Sequence, residues 1–125
     1  MARPASTHPT DGELEILQIL WRGPCTLGQI CKTLREKRSV AITTVATMLK
    51  VMQQKKLVQR KQGKRSFIWS AKTTRQSAAT NMVDKLVKLV FDGSAQRLVA
   101  HLVDSGQLNA EEQEAVRRML TNQKK

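Results

Sequence analysis

Thr43, Thr44, Ala46 and Thr47 stand within five residues, and Lys50, Lys55, Lys56, Arg60, Lys61, Lys64 and Arg65 follow. A Thr hydroxyl can meet a base edge or a phosphate. Its methyl, like that of Ala46, can touch a thymine methyl, and Lys and Arg neutralise phosphates. From Lys50 to Arg65 there are seven cations in sixteen residues and no acid. Like charges without compensation repel one another, and a polyanion supplies the compensation. The plain alternative is a solvated face. Three threonines make poor exposed helix, which tilts the reading toward contact. Nucleic acid is favoured over a membrane surface, because no large amphipathic helix pairs the basic run with a Trp/Phe/Leu face.

The wider charge pattern agrees. The chain has 125 residues and a net charge of +12; residues 1–72 hold 14 Lys+Arg against 4 Asp+Glu, and residues 73–125 hold 8 against 6. At 40% hydrophobic residues it has enough apolar material for a core and too much for a disordered polycation. Other chemistries find little support. Cys25 and Cys31 are spaced C-x5-C, which is not a zinc spacing, and His8 and His101 stand far apart. There is no G-x-S-x-G, no phosphate loop, no acid pair beside a His and no nucleophile with a base nearby. An enzyme, a metal site and a cofactor are therefore not expected. Met82 to Phe91, the longest apolar helical stretch, is broken by Asp84, Lys85 and Lys88, so no bilayer span is read. The N-terminus has no apolar signal core, and the cytoplasm is the expected compartment.

Elements must position these residues. Thr10 to Glu13 reads as a capping box opening a helix with Leu14, Leu17, Ile19, Leu20 and Trp21, ended by Gly23-Pro24. Thr26 caps a short second helix bearing Leu27, Ile30, Cys31 and Leu34. A third helix is predicted from about Ala41 to Lys55, with Ile42, Val45, Met48, Leu49 and Met52 apolar. Leu57–Gln62 and Ser66–Ser70 then read as extended runs around Gly63-Lys64, with Gly63 supplying the positive φ of a tight hairpin. Three helices followed by a basic hairpin is the order of a winged helix. Trp21, Phe67 and Trp69 are assigned to the core. Thr73 to Gln76 reads as a further capping box, opening a helix with Ala79, Met82, Val83, Leu86, Val87 and Val90 on one stripe and stopped at Asp92-Gly93. Leu98, Val99, Leu102 and Val103 mark a fifth helix closed near Gly106. Asn109 with Glu112 starts a sixth, bearing Ala115, Val116, Met119 and Leu120, with Lys124-Lys125 at its negative end.

The predicted architecture is mainly α: a flexible start over 1–9, a winged helix over 10–72, and a three-helix module over 73–125. Three helices in about fifty residues are marginal alone. They pack either on the front domain or on the same segment of a second chain, and the long stripe favours the second. The expected dimer seam is Met82, Val83, Leu86, Val87 and Val90 with Leu98, Leu102, Val116, Met119 and Leu120.

Leu14–Trp21 followed by Gly23-Pro24 resembles the opening helix of penicillinase-repressor regulators of the BlaI/MecI/CopY type. Thr44–Leu49 resembles their recognition helix, and Lys55-Lys56 and the wing at Gly63, Lys64 and Arg65 follow in the same order. Leu98–Leu102 through Glu111-Glu112 resembles their tail, so the resemblance covers about residues 10–122. It implies a homodimeric repressor whose winged helices read a palindromic operator, commonly of TACA/TGTA type, and whose C-terminal helices make the dimer. On this reading Thr43, Thr44, Ala46 and Thr47 meet base edges, and Lys50, Lys55, Lys56, Lys64 and Arg65 meet phosphates. It also implies a sensor protease that cuts in the fifth helix, or metal exchange at C-terminal cysteines in the copper branch. The departures are specific. No cysteine lies in the C-terminal half, and His101-Leu102 stands at the scissile position where Asn-Phe is typical. Ile42, Thr43 and Val51 replace a common Pro, Lys and Arg. The rival function is an architectural, nucleoid-type protein that binds DNA without a specific operator.

Overall fold

The computed structural model describes residues 8–123. The expected flexible start over 1–9, apart from His8 and Pro9, and the Lys124-Lys125 helix end lie outside the described residues. The elements run α1 (Asp11–Leu20), β1 (Cys25–Thr26), α2 (Leu27–Arg35), α3 (Ile42–Gln54), β2 (Val58–Gln62), β3 (Phe67–Ala71), α4 (Arg75–Val90), α5 (Ala95–Asp104) and α6 (Ala110–Asn122). This is the mainly helical winged helix with three further helices that the sequence predicts. The chain divides into two compact units, Met1–Met82 and Val83–Lys125, so α4 begins in one and ends in the other.

In the first unit, apolar residues at helical spacing form one core. Ile16, Leu17 and Leu20 come from α1, Ile30, Cys31 and Leu34 from α2, and Val45, Leu49 and Met52 from α3. Leu57, Val58 and Trp69 close it from the hairpin. Each large apolar side chain buried in this way contributes about 1.5–3 kcal/mol. The Thr10 capping box is complete: Glu13 N–H donates to Thr10 Oγ1 at 3.2 Å and Thr10 N–H to Glu13 Oε1 at 2.9 Å. Thr26 and Gln29 form the same box at α2. In contrast, the N-cap of α3 is Ala41, which offers no side-chain cap, and packing of its buried stripe holds the helix. Lys56 ends it in the left-handed region at φ 67°.

β1 has no counterpart in the sequence reading. Its two residues pair Cys25 with Trp69 and Thr26 with Ile68, giving sheet order β1-β3-β2. Two residues carry no periodicity, so nothing in the sequence marks them.

Two expectations for the hairpin are corrected. The turn is a four-residue loop, with Gln62 opposite Phe67 and Gly63 N–H donating to Ser66 O at 2.9 Å. Gly63 is not among the positive-φ glycines, which are Gly23, Gly93 and Gly106. It is needed for space. A Cβ there would stand 2.6 Å from Ser66 O and 3.0 Å from Ile68 Cγ1. Phe67 is not core but 39% exposed, because it sits at the loop end of β3 beyond the reach of the helices. Trp69 is buried, and Trp21 is half-buried with its indole N–H on Thr73 O at 2.9 Å.

That bond also shifts the next cap. The Thr73 carbonyl is taken by Trp21, and the Thr73 N–H lies 3.3 Å from Leu57 O. The helix therefore starts one residue later than predicted, and Thr74 Oγ1, not Thr73, accepts from Ser77 N–H at 3.0 Å.

The second unit stops and starts at Asp92-Gly93, Gly106 and Asn109 as predicted, and adds a Ser94 cap that the sequence reading did not name. Asp92 (φ 52°) and Gly93 (φ 80°) end α4, Ser94 caps α5, Gly106 (φ 80°) follows it, and Asn109 with Glu112 boxes α6. No residue of α5 or α6 is buried. Val87, Phe91, Leu98, Leu102 and Val116 are half-buried, while Leu89 is 71% and Leu120 67% exposed.

Candidate nucleic-acid interface

Helical period sorts α3 into two faces. Val45, Leu49 and Met52 enter the core at i, i+4 and i+7. The opposite face leaves Thr43, Thr44, Thr47 and Lys50 exposed and Ala46 half-buried. Ile42, which reads from the sequence as part of the apolar side, is exposed on the same helix, as is Val51. The Thr47 hydroxyl donates to Thr43 O at 3.0 Å. Its proton is spent on the helix, so Thr47 offers outward a methyl and an acceptor lone pair. With Ile42 and Ala46, this makes a surface rich in methyl groups with one cation, Lys50.

The hairpin lies beside that face. A groove of about 420 Å³ separates them, lined by Thr43, Ala46, Thr47, Leu49 and Lys50 from α3, by Arg60, Ser66, Phe67 and Trp69 from the hairpin, and by Leu27. Lys64 and Arg65 are exposed in the loop at the hairpin tip, and Lys56 is exposed at its base. Among the described residues, none of Lys50, Lys56, Lys64 and Arg65 is paired with an acid. The field of these cations is thus directed to solvent.

Lys55 is the exception. Its Nζ sits 2.8 Å from Glu13 Oε1, with side chains 9% and 5% exposed, and also donates to His8 O at 3.4 Å. It locks the end of α3 to the start of α1 and is not available to a phosphate. The sequence could not reveal this, because its partner lies 42 residues earlier.

Arg60 belongs to the basic run, but the sequence alone assigns it no role. Its guanidinium lies 3.9 Å from the Phe67 ring centroid and 5.6 Å from that of Trp69. The signal for it in the sequence is the alternation of Arg60 and Gln62 with Val58 along one strand face.

In the second unit and the helix leading into it, Met82, Val83, Leu86 and Val90 are exposed along α4, and Met119 and Leu120 along α6. Val87, Leu98, Leu102 and Val116 are half-buried. His101 is exposed within α5, its ring 5.7 Å from that of Phe91. Among the described residues no helix is long and apolar enough to cross a membrane.

Comparison with known proteins bears on this geometry. The family model for the penicillinase repressor matches residues 9–122. The transcriptional regulator BlaI of Mycobacterium tuberculosis, found in two strains, is 32% identical over 117 residues, covering 91% of this chain and 83% of that protein. A solved cysteine-to-serine mutant of Lactococcus lactis ZitR aligns over 97% of this chain and 77% of its own, with a TM-score of 0.50 and 18% identity. That last likeness concerns fold alone. The matched family is one of regulators and not of enzymes.

Proposed function

Because the chain belongs to the penicillinase-repressor family, we propose that it acts as a homodimer whose two winged helices hold a palindromic operator of TACA/TGTA type. It is a DNA-binding transcriptional repressor; the dimer, the operator and the residue roles are our reading. Residues 10–72 are the reading head and 73–125 the dimerisation module. The observation that supports the DNA-contacting roles is the basic rim of Lys50, Lys56, Lys64 and Arg65, without an acid partner among the described residues, around the exposed threonines of α3.

In this reading α3 enters the major groove, where each base pair shows a distinct pattern. Thr43, Thr44, Ala46 and Thr47 meet base edges, and the methyl of Thr47 packs on a thymine methyl. The rim cations meet phosphates and set register and affinity. Two-fold symmetry puts half-sites about 10 bp apart or at a multiple of that spacing.

Genomic footprinting followed by titration tests the reading. The footprint is expected to contain a palindrome, favoured by about 10³ or more over random duplex. Changing Lys64 and Arg65 together to Ala is expected to weaken binding to every sequence alike, and to lower the log–log salt slope by about 0.9 for each phosphate no longer neutralised. Thr47→Ser, which removes a methyl, is expected to weaken the operator by about fourfold, from about 0.8 kcal/mol for one buried carbon, and to leave random duplex unchanged. Equal binding to all duplexes would select the architectural reading.

Derepression completes the reading. A sensor protease cutting between His101 and Leu102 would separate α6 from α4 and remove four of the ten seam residues, Leu102, Val116, Met119 and Leu120. The bond lies inside α5, so the helix must open before a protease can take it in extended form. Leu98 and Leu102 of α5 belong to the proposed seam, so opening of α5 and parting of the seam go together. Fragment masses from induced cells are expected to end at His101. An intact chain on a derepressed promoter would remove this step.

A further inference from the structure

We propose that Arg60 is a DNA-backbone contact, held in position by the Phe67 ring at the junction of recognition helix and wing. The inference rests on the DNA-binding reading above and adds a residue to it. Along β2 and β3 side chains alternate, so Val58 and Arg60 share a face, as do Trp69 and Phe67. Register pairs Arg60 with Trp69. Near the helices this face is core, and Val58 and Trp69 are buried. Nearer the loop the core has ended, and the same face overlooks the groove beside α3, where Arg60 and Phe67 line one wall and Thr47 and Lys50 the other.

A bare arginine there would be mobile. The ring centroid of Phe67 at 3.9 Å and that of Trp69 at 5.6 Å hold it. Stacking uses the flat face of a guanidinium and leaves its edge N–H fork free. That fork fits two phosphate oxygens, and no acid among the described residues pairs with it. Rotamer entropy is given up on folding, so less is lost when DNA arrives. Phe67 is thus a positioning residue: its ring, 39% exposed at the loop end of β3, seats Arg60.

A phosphate contact is independent of sequence, so the probe is a mixed-sequence duplex of about 30 bp, titrated across a range of salt concentrations. Arg60→Gln is expected to bind about tenfold more weakly, with the salt slope lower by about 0.9. Phe67→Leu keeps every charge; it is expected to lose about threefold with the slope retained. Arg60→Lys is expected to keep the slope without recovering the affinity, since an ammonium lacks the planar fork. The double variant Arg60→Gln/Phe67→Leu is expected to bind no more weakly than Arg60→Gln alone. A general loosening of the wing would instead multiply the two losses, and that result overturns the proposal. So does wild-type affinity and slope in Arg60→Gln. Failure of the wild-type chain to bind the duplex would overturn the DNA-binding reading along with this one, whereas the variant results bear on Arg60 alone. Thermal melts of each variant accompany the titrations, and should Arg60→Gln not fold, Arg60→Lys with Phe67→Leu decides.

Discussion

Glu13→Ala is expected to destabilise the winged helix by about 3–5 kcal/mol, the range for removing one partner of a buried ion pair. Glu13 is 4% exposed, and its carboxylate has two tasks. It receives Lys55 Nζ at 2.8 Å and Thr10 N–H at 2.9 Å. Alanine would leave the Lys55 ammonium in a site that is 9% exposed, without its counter-charge, and would open half of the α1 capping box. In a domain of this size, a loss of that order lowers the melting temperature by more than about 10 °C. Urea titration of the single variant, beside Glu13→Ala/Lys55→Met, checks the cause. An apolar replacement of both partners removes the stranded charge, so the double variant is expected to be more stable than Glu13→Ala. With Lys55→Met measured as well, a double weaker by the full sum of the two single losses would mean that the pair is not what holds α1 to α3.

The same pair shows where the sequence stops being legible. Local rules transfer well. Thr10 with Glu13, Thr26 with Gln29, and Asn109 with Glu112 are capping boxes because the partners are three residues apart and the chain itself brings them together. Helical periodicity likewise separates Val45, Leu49 and Met52 from the exposed threonines of α3. What fails is whatever depends on a distant partner. Lys55 reads as one cation in a basic run until Glu13 meets it. The start of α4 reads one residue early, because the Thr73 carbonyl is claimed by an indole 52 residues away in sequence. Phe67 reads as core because a strand pattern cannot say where along its length the helices stop covering it. Gly63 is flagged by the sequence for the wrong reason: its place is fixed by the Ser66 carbonyl and the Ile68 side chain and not by φ. The site is legible in kind, basic and threonine-bearing, since charge and exposure follow from composition. Which cations serve DNA and which serve the fold is set by tertiary contacts.

Leu86→Asp is expected to convert the proposed dimer to a monomer and to weaken operator binding by about 10²–10⁴-fold, the effective-concentration gain of two linked reading heads. Leu86 is 40% exposed, so in a chain that works alone an aspartate there meets water and costs little. In a dimer sealed along α4 it places a charge in an apolar seam, where it has neither water nor a partner. The substitution therefore separates the two cases by sign of outcome and not by degree. The surroundings support the seam: Val83 and Val90 are exposed on the same helix, with Met119 and Leu120 exposed on α6. In a helical unit with no buried residue in α5 or α6, these exposed apolar residues are what the proposed seam would cover. Analytical ultracentrifugation with operator titration reads both consequences in one preparation, and far-ultraviolet circular dichroism checks that helix content is kept. A monomer that still protects a single half-site at high concentration would place the reading head in the first unit and the avidity in the second. A variant that stays dimeric at undiminished affinity would remove the α4 stripe from the interface and leave α5 and α6 as the part of the proposed seam that cutting α5 can break.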